Sequence, residues 1–186
     1  MSQRRVQIVV LCEDRQQEVF ARHFLKKRGF RGNIRPIICP DGSQSAEQYV
    51  RLCYPKEVKA YRSKGTYLSI GLIVVIDADK KTVEERLKQL DDALIEDSQK
   101  TRQPGEAIAI FIPKRNIETW IHYLLDETVD EETEYSKLNN ESVCKPYVEN
   151  LVNQCYQGLD ENAPPSLQAA CEELQKILPL LNTYER

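Results

Sequence analysis

Two nearly continuous apolar runs constrain the fold of this chain more than any other feature. They are VQIVVLC, residues 6–12, and GLIVVID, residues 71–77, and each has the length of a strand rather than of a helix. Neither alternates polar and apolar residues, as a strand with one solvated face would. Both are therefore expected to be buried on two faces, as happens in a parallel sheet covered by helices.

Strand-like and helical segments alternate along the first 125 residues. Strand-length apolar segments occur at VQIVVLC, NIRPIIC, GLIVVID and AIAIFIP. Segments with helical spacing lie between them: RQQEVFARHFLKKRG, SAEQYVRLCYPKEVKAYRSKG and KTVEERLKQLDDALIEDSQ. This order predicts an α/β, Rossmann-like fold with a mainly parallel central sheet of about four strands and helices on both faces.

Single residues refine this arrangement. Pro36 favours an edge position for the second strand, and Pro55 predicts an interruption or kink in the second helix. Asn116 is placed to cap the helix NIETWIHYLLD. The third helix is predicted to turn four apolar residues inward, namely Val83, Leu87, Leu90 and Leu94.

The last third of the chain is predicted to be helical after an acidic loop. DETVDEETE, residues 126–134, is interpreted as solvated, and helices are expected over roughly 143–156 and 165–182, with Pro164 and Pro165 opening the last. We therefore expect one α/β domain over residues 1–125, with residues 126–186 packing on it.

Charge and cysteine content exclude several classes of protein. A net charge of −3 gives no overall electrostatic reason to bind nucleic acid, although basic residues crowd the first 35 positions, either as a solvated helix face or as a binding surface. The six cysteines form no CxxC pair, which argues against zinc. With no signal peptide and no membrane-length apolar stretch, we predict a cytoplasmic protein, not membrane-bound, whose cysteines are all reduced and buried.

Acidic residues follow three of the strand-like segments. Glu13 and Asp14 come after the first, Asp41 after the second, and Asp77 and Asp79 at the end of the third. Ligands of open α/β sheets bind beyond the carboxyl ends of the strands, where these side chains are expected to meet. Carboxylate oxygens suit Mg²⁺, and a cation would relieve their mutual repulsion. A magnesium site is the favoured interpretation.

Two alternatives that involve no metal stay open at this point. In the first, Asp79 caps the helix that begins near Lys81, and Glu13 and Asp14 lie near the positive end of the first helix. In the second, the acids carry aspartyl-phosphate chemistry as in receiver domains, which also requires a lysine after a later strand, such as Lys114.

The ordered motifs VVLCED and VVIDADK, within this β/α alternation, resemble the TOPRIM domain of topoisomerases, primases and OLD-family nucleases. The similarity is greatest to small stand-alone TOPRIM-like bacterial proteins, often associated with defence loci. CEDRQQEVFARHFL and IPKRNIETWIHYLL also resemble segments of that group, so that the similarity covers about the first 125 residues.

The resemblance implies roles for individual residues. Glu13 would be a general acid/base or a metal ligand, and Asp77 and Asp79 would bind Mg²⁺ or Mn²⁺. Glu118 would be a further acid near the site, and Lys145 a phosphate contact; the alternatives are a helix first-turn acid and an exposed helix lysine. Trp120 is expected in the core.

This chain departs from the TOPRIM pattern next to the first acid. The glycine that often follows it is Asp14 here, and the acid expected four residues after Glu13 is Gln17, with Glu18 one place late. Loss of that acid implies a single-metal site, a shifted register or a protein that does not cut.

Two functions from different classes follow. The first is a Mg²⁺-dependent nuclease that acts on DNA or RNA and holds the backbone with basic residues: Arg15, Arg22, Lys80, Lys81, Lys114 or Arg115. The alternative is a non-catalytic TOPRIM-like partner subunit of an ATPase-containing complex. The sequence has no Walker A motif, so any ATP dependence would come from another protein.

Overall fold

The computed structural model describes residues 6–42, 45–65 and 68–182. Its strands are β1 (Gln7–Cys12), β2 (Asn33–Ile38), β3 (Ile70–Val75) and β4 (Ile108–Phe111). Its α-helices, within the described residues, are α1 (Arg15–Lys27), α2 (Ala46–Lys64), α3 (Val83–Glu96), α4 (Ile117–Leu124), α5 (Lys145–Gln157), α6 (Pro165–Glu173) and α7 (Leu178–Leu181). Short 3₁₀ turns at Glu141–Cys144 and Leu174–Lys176 complete the described elements.

The four strands form a single parallel sheet in the order β2-β1-β3-β4. This confirms the predicted α/β fold, and β2 with Pro36 lies at an edge, where a residue without an N–H is tolerated. From β1 the chain goes on to β2 on one side of β1, and then returns to form β3 on the other side. The strand order therefore reverses between β1 and β3. Ligands of such sheets bind at this reversal.

Helices cover both faces of the sheet. One face packs against α1 and α4 to α7, and its core includes Val10, Ile73, Phe20, Trp120 and Leu167. The other packs against α2 and α3, with Leu11, Val74, Tyr54, Leu90 and Leu94. The C-terminal helices therefore share the core of the α/β domain.

Among the described residues, no helix combines the length and the apolar character needed to cross a membrane.

The helix boundaries correct two expectations. Thr82, not Asp79, caps α3. The Thr82 hydroxyl accepts from the Glu85 N–H at 3.0 Å, and the Glu85 carboxylate accepts from the Thr82 N–H at 2.8 Å. Pro55 lies inside α2, which is a single helix from Ala46 to Lys64, so the chain has no interruption at this proline; a kink there stays a prediction. Trp120 is in the core as expected, 2% exposed, and its Nε1 donates to Ser166 Oγ at 2.9 Å.

The cysteine prediction was wrong in part. Cys155 of α5 and Cys171 of α6 form a disulfide, and Cys39 and Cys53 are only half-buried. Cys12 and Cys144 are free and buried as expected. The disulfide was hidden in the sequence because its partners lie 16 residues apart on two helices whose packing brings them together.

Candidate functional site

Glu13 and Asp77 meet at the point where the strand order reverses. Each follows the carboxyl end of a neighbouring parallel strand, Glu13 after β1 and Asp77 after β3. The Asp77 N–H donates to Glu13 Oε1 at 2.6 Å. Asp77 is 9% exposed and Glu13 is half-buried, so neither acid lies on an open surface.

Gln17 closes a ring of hydrogen bonds with these two residues. Its Oε1 accepts from the Glu13 N–H at 2.9 Å, and its Nε2 donates to Asp77 Oδ1 at 3.0 Å. Asp14 fixes this position, because it caps α1 and accepts from the Gln17 N–H at 3.0 Å. The fully buried amide of Gln17 thus stands where the TOPRIM pattern has an acid.

The pKa values of both acids are raised. Burial raises the pKa of Glu13 from 4.5 to about 8, the Asp77 N–H opposes the rise, and the charges of Asp79 and Asp14 add to it. The pKa of Asp77 lies well above its ordinary value because of burial and then the charge of Glu13. Burial and mutual repulsion disfavour a negative charge on both acids at once. Binding of a proton or of a cation would relieve this repulsion.

Asp79 forms an ion pair with Arg86 of the same chain. Its Oδ2 accepts from Nη2 of Arg86 at 3.1 Å, and its own side chain is 57% exposed. Arg86, only 2% exposed, also donates to the Asp77 carbonyl at 3.0 Å and to Glu47 Oε2 at 2.8 Å. The structure therefore brings Glu13 and Asp77 together and pairs the third predicted ligand with Arg86.

Glu118 supplies a further acid close to Asp77. It lies in the first turn of α4, is 2% exposed, and its Oε1 has no hydrogen-bond partner among the described residues. Burial, followed by the charge of Asp14, raises the pKa of Glu118, and the charge of Glu118 in turn contributes to the raised pKa of Asp77. An unpaired buried carboxylate oxygen of this kind is costly unless a ligand or a proton satisfies it.

Lys145 is exposed at the first position of α5. It follows Cys144, whose Sγ accepts from Gln16 Nε2 at 3.3 Å, so that this turn packs on the start of α1. Within the described part of the chain, Lys145 forms no ion pair with Glu13, Asp77 or Glu118. Another lysine, Lys137, pairs with the acid next to Glu13: its Nζ lies 3.4 Å from Asp14 Oδ2.

The predicted basic contacts divide into two groups. Arg15 and Arg22 both pair with the buried Glu18, each one turn away along the same helix. Lys114 and Arg115 follow β4, beside the end of β3, where the Asp79 N–H donates to the Arg115 carbonyl at 3.1 Å. Arg4 and Arg5 of the N-terminal basic cluster lie outside the described residues.

The donor set fits a hard divalent cation at Glu13 and Asp77. Mg²⁺ is commonly held by one or two carboxylates, with water and substrate oxygens completing its shell. The repulsion between these acids and the unpartnered Glu118 oxygen both favour a positive ion. Among the described residues, no group of three or more histidine, cysteine, aspartate or glutamate side chains is placed to hold a metal ion, and Asp79 pairs with Arg86.

Sequence reasoning missed the role of Arg86. The signal was present, since Arg86 is spaced by four residues from Leu90 and by eight from Leu94, both fully buried on the inner face of α3. An arginine on this buried face of α3 must find carbonyl or carboxylate partners inside the protein. Lys137 carried no comparable signal, because it lies in an irregular segment.

No protein-family model, curated protein or solved structure gives a significant match to this chain. The resemblance to TOPRIM domains rests on the ordered motifs alone and remains a prediction.

Proposed function

We propose that this protein is a Mg²⁺- or Mn²⁺-dependent nuclease of TOPRIM type that hydrolyses phosphodiester bonds in DNA or RNA. One observation carries the proposal: the carboxylate of Glu13, which follows β1, accepts from the backbone N–H of Asp77, which follows the neighbouring parallel strand β3, at the reversal of the sheet. We further propose that it acts in the cytoplasm, in bacterial defence or in nucleic-acid processing.

Glu13 and Asp77 would hold the ion. When bound, a divalent cation supplies positive charge that stabilises the charge developing on a phosphodiester and its leaving oxygen. Asp79 Oδ2 is paired with Arg86, so this oxygen would join the ligands only if that ion pair opens.

The side chains have separate tasks in this proposal. Glu13 would act as a general acid or base only where it does not ligate the ion, because the raised pKa that suits this role is lost when a cation binds the carboxylate. Gln17 orients Asp77 through the bond to Oδ1, and Arg86 holds the Asp77 backbone through its carbonyl. Lys114 and Arg115, beside Asp79, would neutralise backbone phosphates.

Cleavage of labelled single- and double-stranded DNA and RNA tests the proposal, with Mg²⁺, with Mn²⁺ and with EDTA. We expect cleavage that requires the metal and that Glu13→Gln or Asp77→Asn lowers by at least roughly a hundredfold. Asp41→Asn is the matched control, because Asp41 is an exposed acid after the edge strand β2. Cleavage that survives EDTA, or an Asp77→Asn variant as active as the control, would contradict the proposal.

A second candidate is the non-catalytic TOPRIM-like partner of an ATPase-containing complex. It is favoured by the internal partners of both aspartates, since Gln17 donates to Asp77 and Arg86 pairs with Asp79. Metal binding separates the candidates: calorimetric titration with Mn²⁺ should show a site in a nuclease, and a scaffold has no need of one. Absence of both metal binding and cleavage would favour the partner subunit.

A further inference from the structure

Acidic residues of the segment 126–134 lie against the basic pair that follows β4. Glu134 Oε2 is 3.3 Å from Arg115 Nη2, and Glu132 Oε1 is 4.0 Å from Lys114 Nζ. The sequence alone predicts a solvated loop here, and no partner for its acids. The structure instead brings two of its carboxylates to the two cations that the proposed function assigns to backbone phosphates.

The segment is fixed on both sides of these acids. Glu131 Oε1 accepts from the N–H and the hydroxyl of Ser166, at 2.9 and 2.6 Å. On the other side, Asn116 Nδ2 donates to the Tyr135 carbonyl at 3.0 Å. Glu132 and Glu134 lie between these anchors with side chains 86% and 73% exposed. Their carboxylates are thus held over the basic pair but remain open to competition from solvent.

The basic pair lies beside the candidate metal site. The Ala78 N–H donates to the Pro113 carbonyl at 2.9 Å, and the Asp79 N–H donates to the Arg115 carbonyl at 3.1 Å. Asp79 and Arg115 both have positive φ, 54° and 67°. Non-glycine residues in this left-handed region carry strain, and such strain is concentrated at ligand sites.

Arg115 retains unused hydrogen-bonding capacity. Its Nε is buried without a partner among the described residues, and its Nη2 contacts Glu134. Guanidinium groups bind phosphate through paired N–H donors, so Arg115 is suited to a phosphate oxygen. Exposed ion pairs such as those of Glu132 and Glu134 are weak, and a polyanion that presents several phosphates can displace them.

We propose that residues 126–134 form an acidic strap that occupies Lys114 and Arg115 in place of phosphate, so that nucleic acid must displace Glu132 and Glu134 to reach the acids beyond. This inference rests on the proposed function, because it assigns Lys114 and Arg115 to the nucleic-acid backbone. It predicts that the wild-type protein binds nucleic acid more weakly than a variant in which Lys114 and Arg115 are not paired with Glu132 and Glu134.

Fluorescence anisotropy with labelled single-stranded and duplex DNA and RNA, in EDTA to prevent cleavage, tests the strap. The strap variant is E132Q/E134Q. Its matched control is E96Q/E172Q, which removes the same two charges from exposed ends of α3 and α6, away from Lys114. We expect the strap variant to bind roughly threefold to tenfold more tightly than the control, given the strength of two exposed ion pairs. K114Q/R115Q should weaken binding, and R115K, which keeps the charge but loses the paired N–H donors, should bind more weakly than the wild type.

Equal affinities of the strap variant and the charge control, with clear binding by both, would overturn the strap and leave the proposed nuclease standing. A gain that persists after K114Q/R115Q is added would also overturn it, because the strap acts through those two side chains. If none of these proteins binds any nucleic acid, that result would contradict both the strap and the proposal that nucleic acid is the substrate. Circular-dichroism melts of each variant separate loss of binding from loss of folding.

Discussion

Gln17 Nε2 donates to Asp77 Oδ1 at 3.0 Å, so a neutral amide satisfies one oxygen of the aspartate at the centre of the candidate site. An acid at this position would repel Asp77 unless a cation lay between them. The amide therefore adds no negative charge beside Asp77 and supplies no charged ligand for a cation. In the proposed metal site, the same contact would lower the affinity for a cation.

Gln17→Glu is expected to strengthen metal binding and to weaken the metal-free protein. The new carboxylate would face Asp77 and Glu13 in a buried ring, which we expect to lower the free energy of unfolding in EDTA by about 3 kcal/mol. Mn²⁺ should then raise the melting temperature more in the variant than in the wild type. Thermal melts with and without Mn²⁺ measure both effects.

Gln16→Glu is the control for this prediction. Gln16 is also buried, but its Nε2 contacts Cys144 Sγ and the Glu141 carbonyl rather than Asp77. We expect it to lose stability in EDTA without any larger response to Mn²⁺. Equal responses of the two variants would show that Gln17 does not face a metal site.

Replacement of both Asp77 and Asp79 by Asn should abolish metal-dependent cleavage while the fold persists. Each amide keeps the size of the acid and removes the charge that attracts a cation, so cleavage should fall by orders of magnitude. Stability in EDTA should change little, because the relief of repulsion near Glu13 is offset by the loss of the Asp79–Arg86 pair. Cleavage assays beside thermal melts measure the two effects. A variant whose melting temperature rises with Mn²⁺ as much as that of the wild type would contradict the site.

The stability of the metal-free protein is expected to fall as the pH rises from about 4.5 towards 8. The pKa of Glu13 is about 8 in the folded chain and near 4.5 in the unfolded one, so the folded state binds more protons across this range. The free energy of unfolding then decreases with pH, by at most about 1.4 kcal/mol per unit from this group, and levels off above pH 8.

Urea unfolding at several pH values in EDTA measures this slope. Glu13→Gln should flatten it, and Mg²⁺ should restore stability more at pH 8 than at pH 6, because protons and the cation compete for the same carboxylates. A slope that is unchanged in Glu13→Gln would show that another group is responsible.

The sheet and the contact between Glu13 and Asp77 were predictable from sequence. Apolar runs such as IGLIVV, buried throughout in β3, permit few structures other than a covered parallel strand, and the carboxyl ends of neighbouring parallel strands lie at the same edge of the sheet. The cap of α3 was also readable, since Thr82 and Glu85 have the spacing of a capping box.

Contacts made by long side chains across the fold were not predictable. Arg86 reaches Glu47 on another helix and Asp79 on a loop, and the position of both depends on how α2 and α3 pack. The contact between Glu134 and Arg115 likewise depends on the path of an irregular segment. Sequence periodicity determines which face of a helix is buried, but it does not determine which partner a buried charge finds.

Arg86→Met is expected to destabilise the protein and to release Asp79 as a metal ligand. Methionine fills a similar volume, but the carbonyl of Asp77 and the carboxylates of Glu47 and Asp79 lose their donor, which should cost about 3 kcal/mol. Removal of a positive charge from the site should at the same time tighten Mn²⁺ binding. Urea unfolding in EDTA and calorimetric titration measure the two effects, and Arg86→Lys, which keeps the charge, should gain no affinity. If Arg86→Met binds Mn²⁺ no more tightly than Arg86→Lys, Asp79 lies too far from the bound ion to act as its ligand, and the site consists of Glu13 and Asp77 alone.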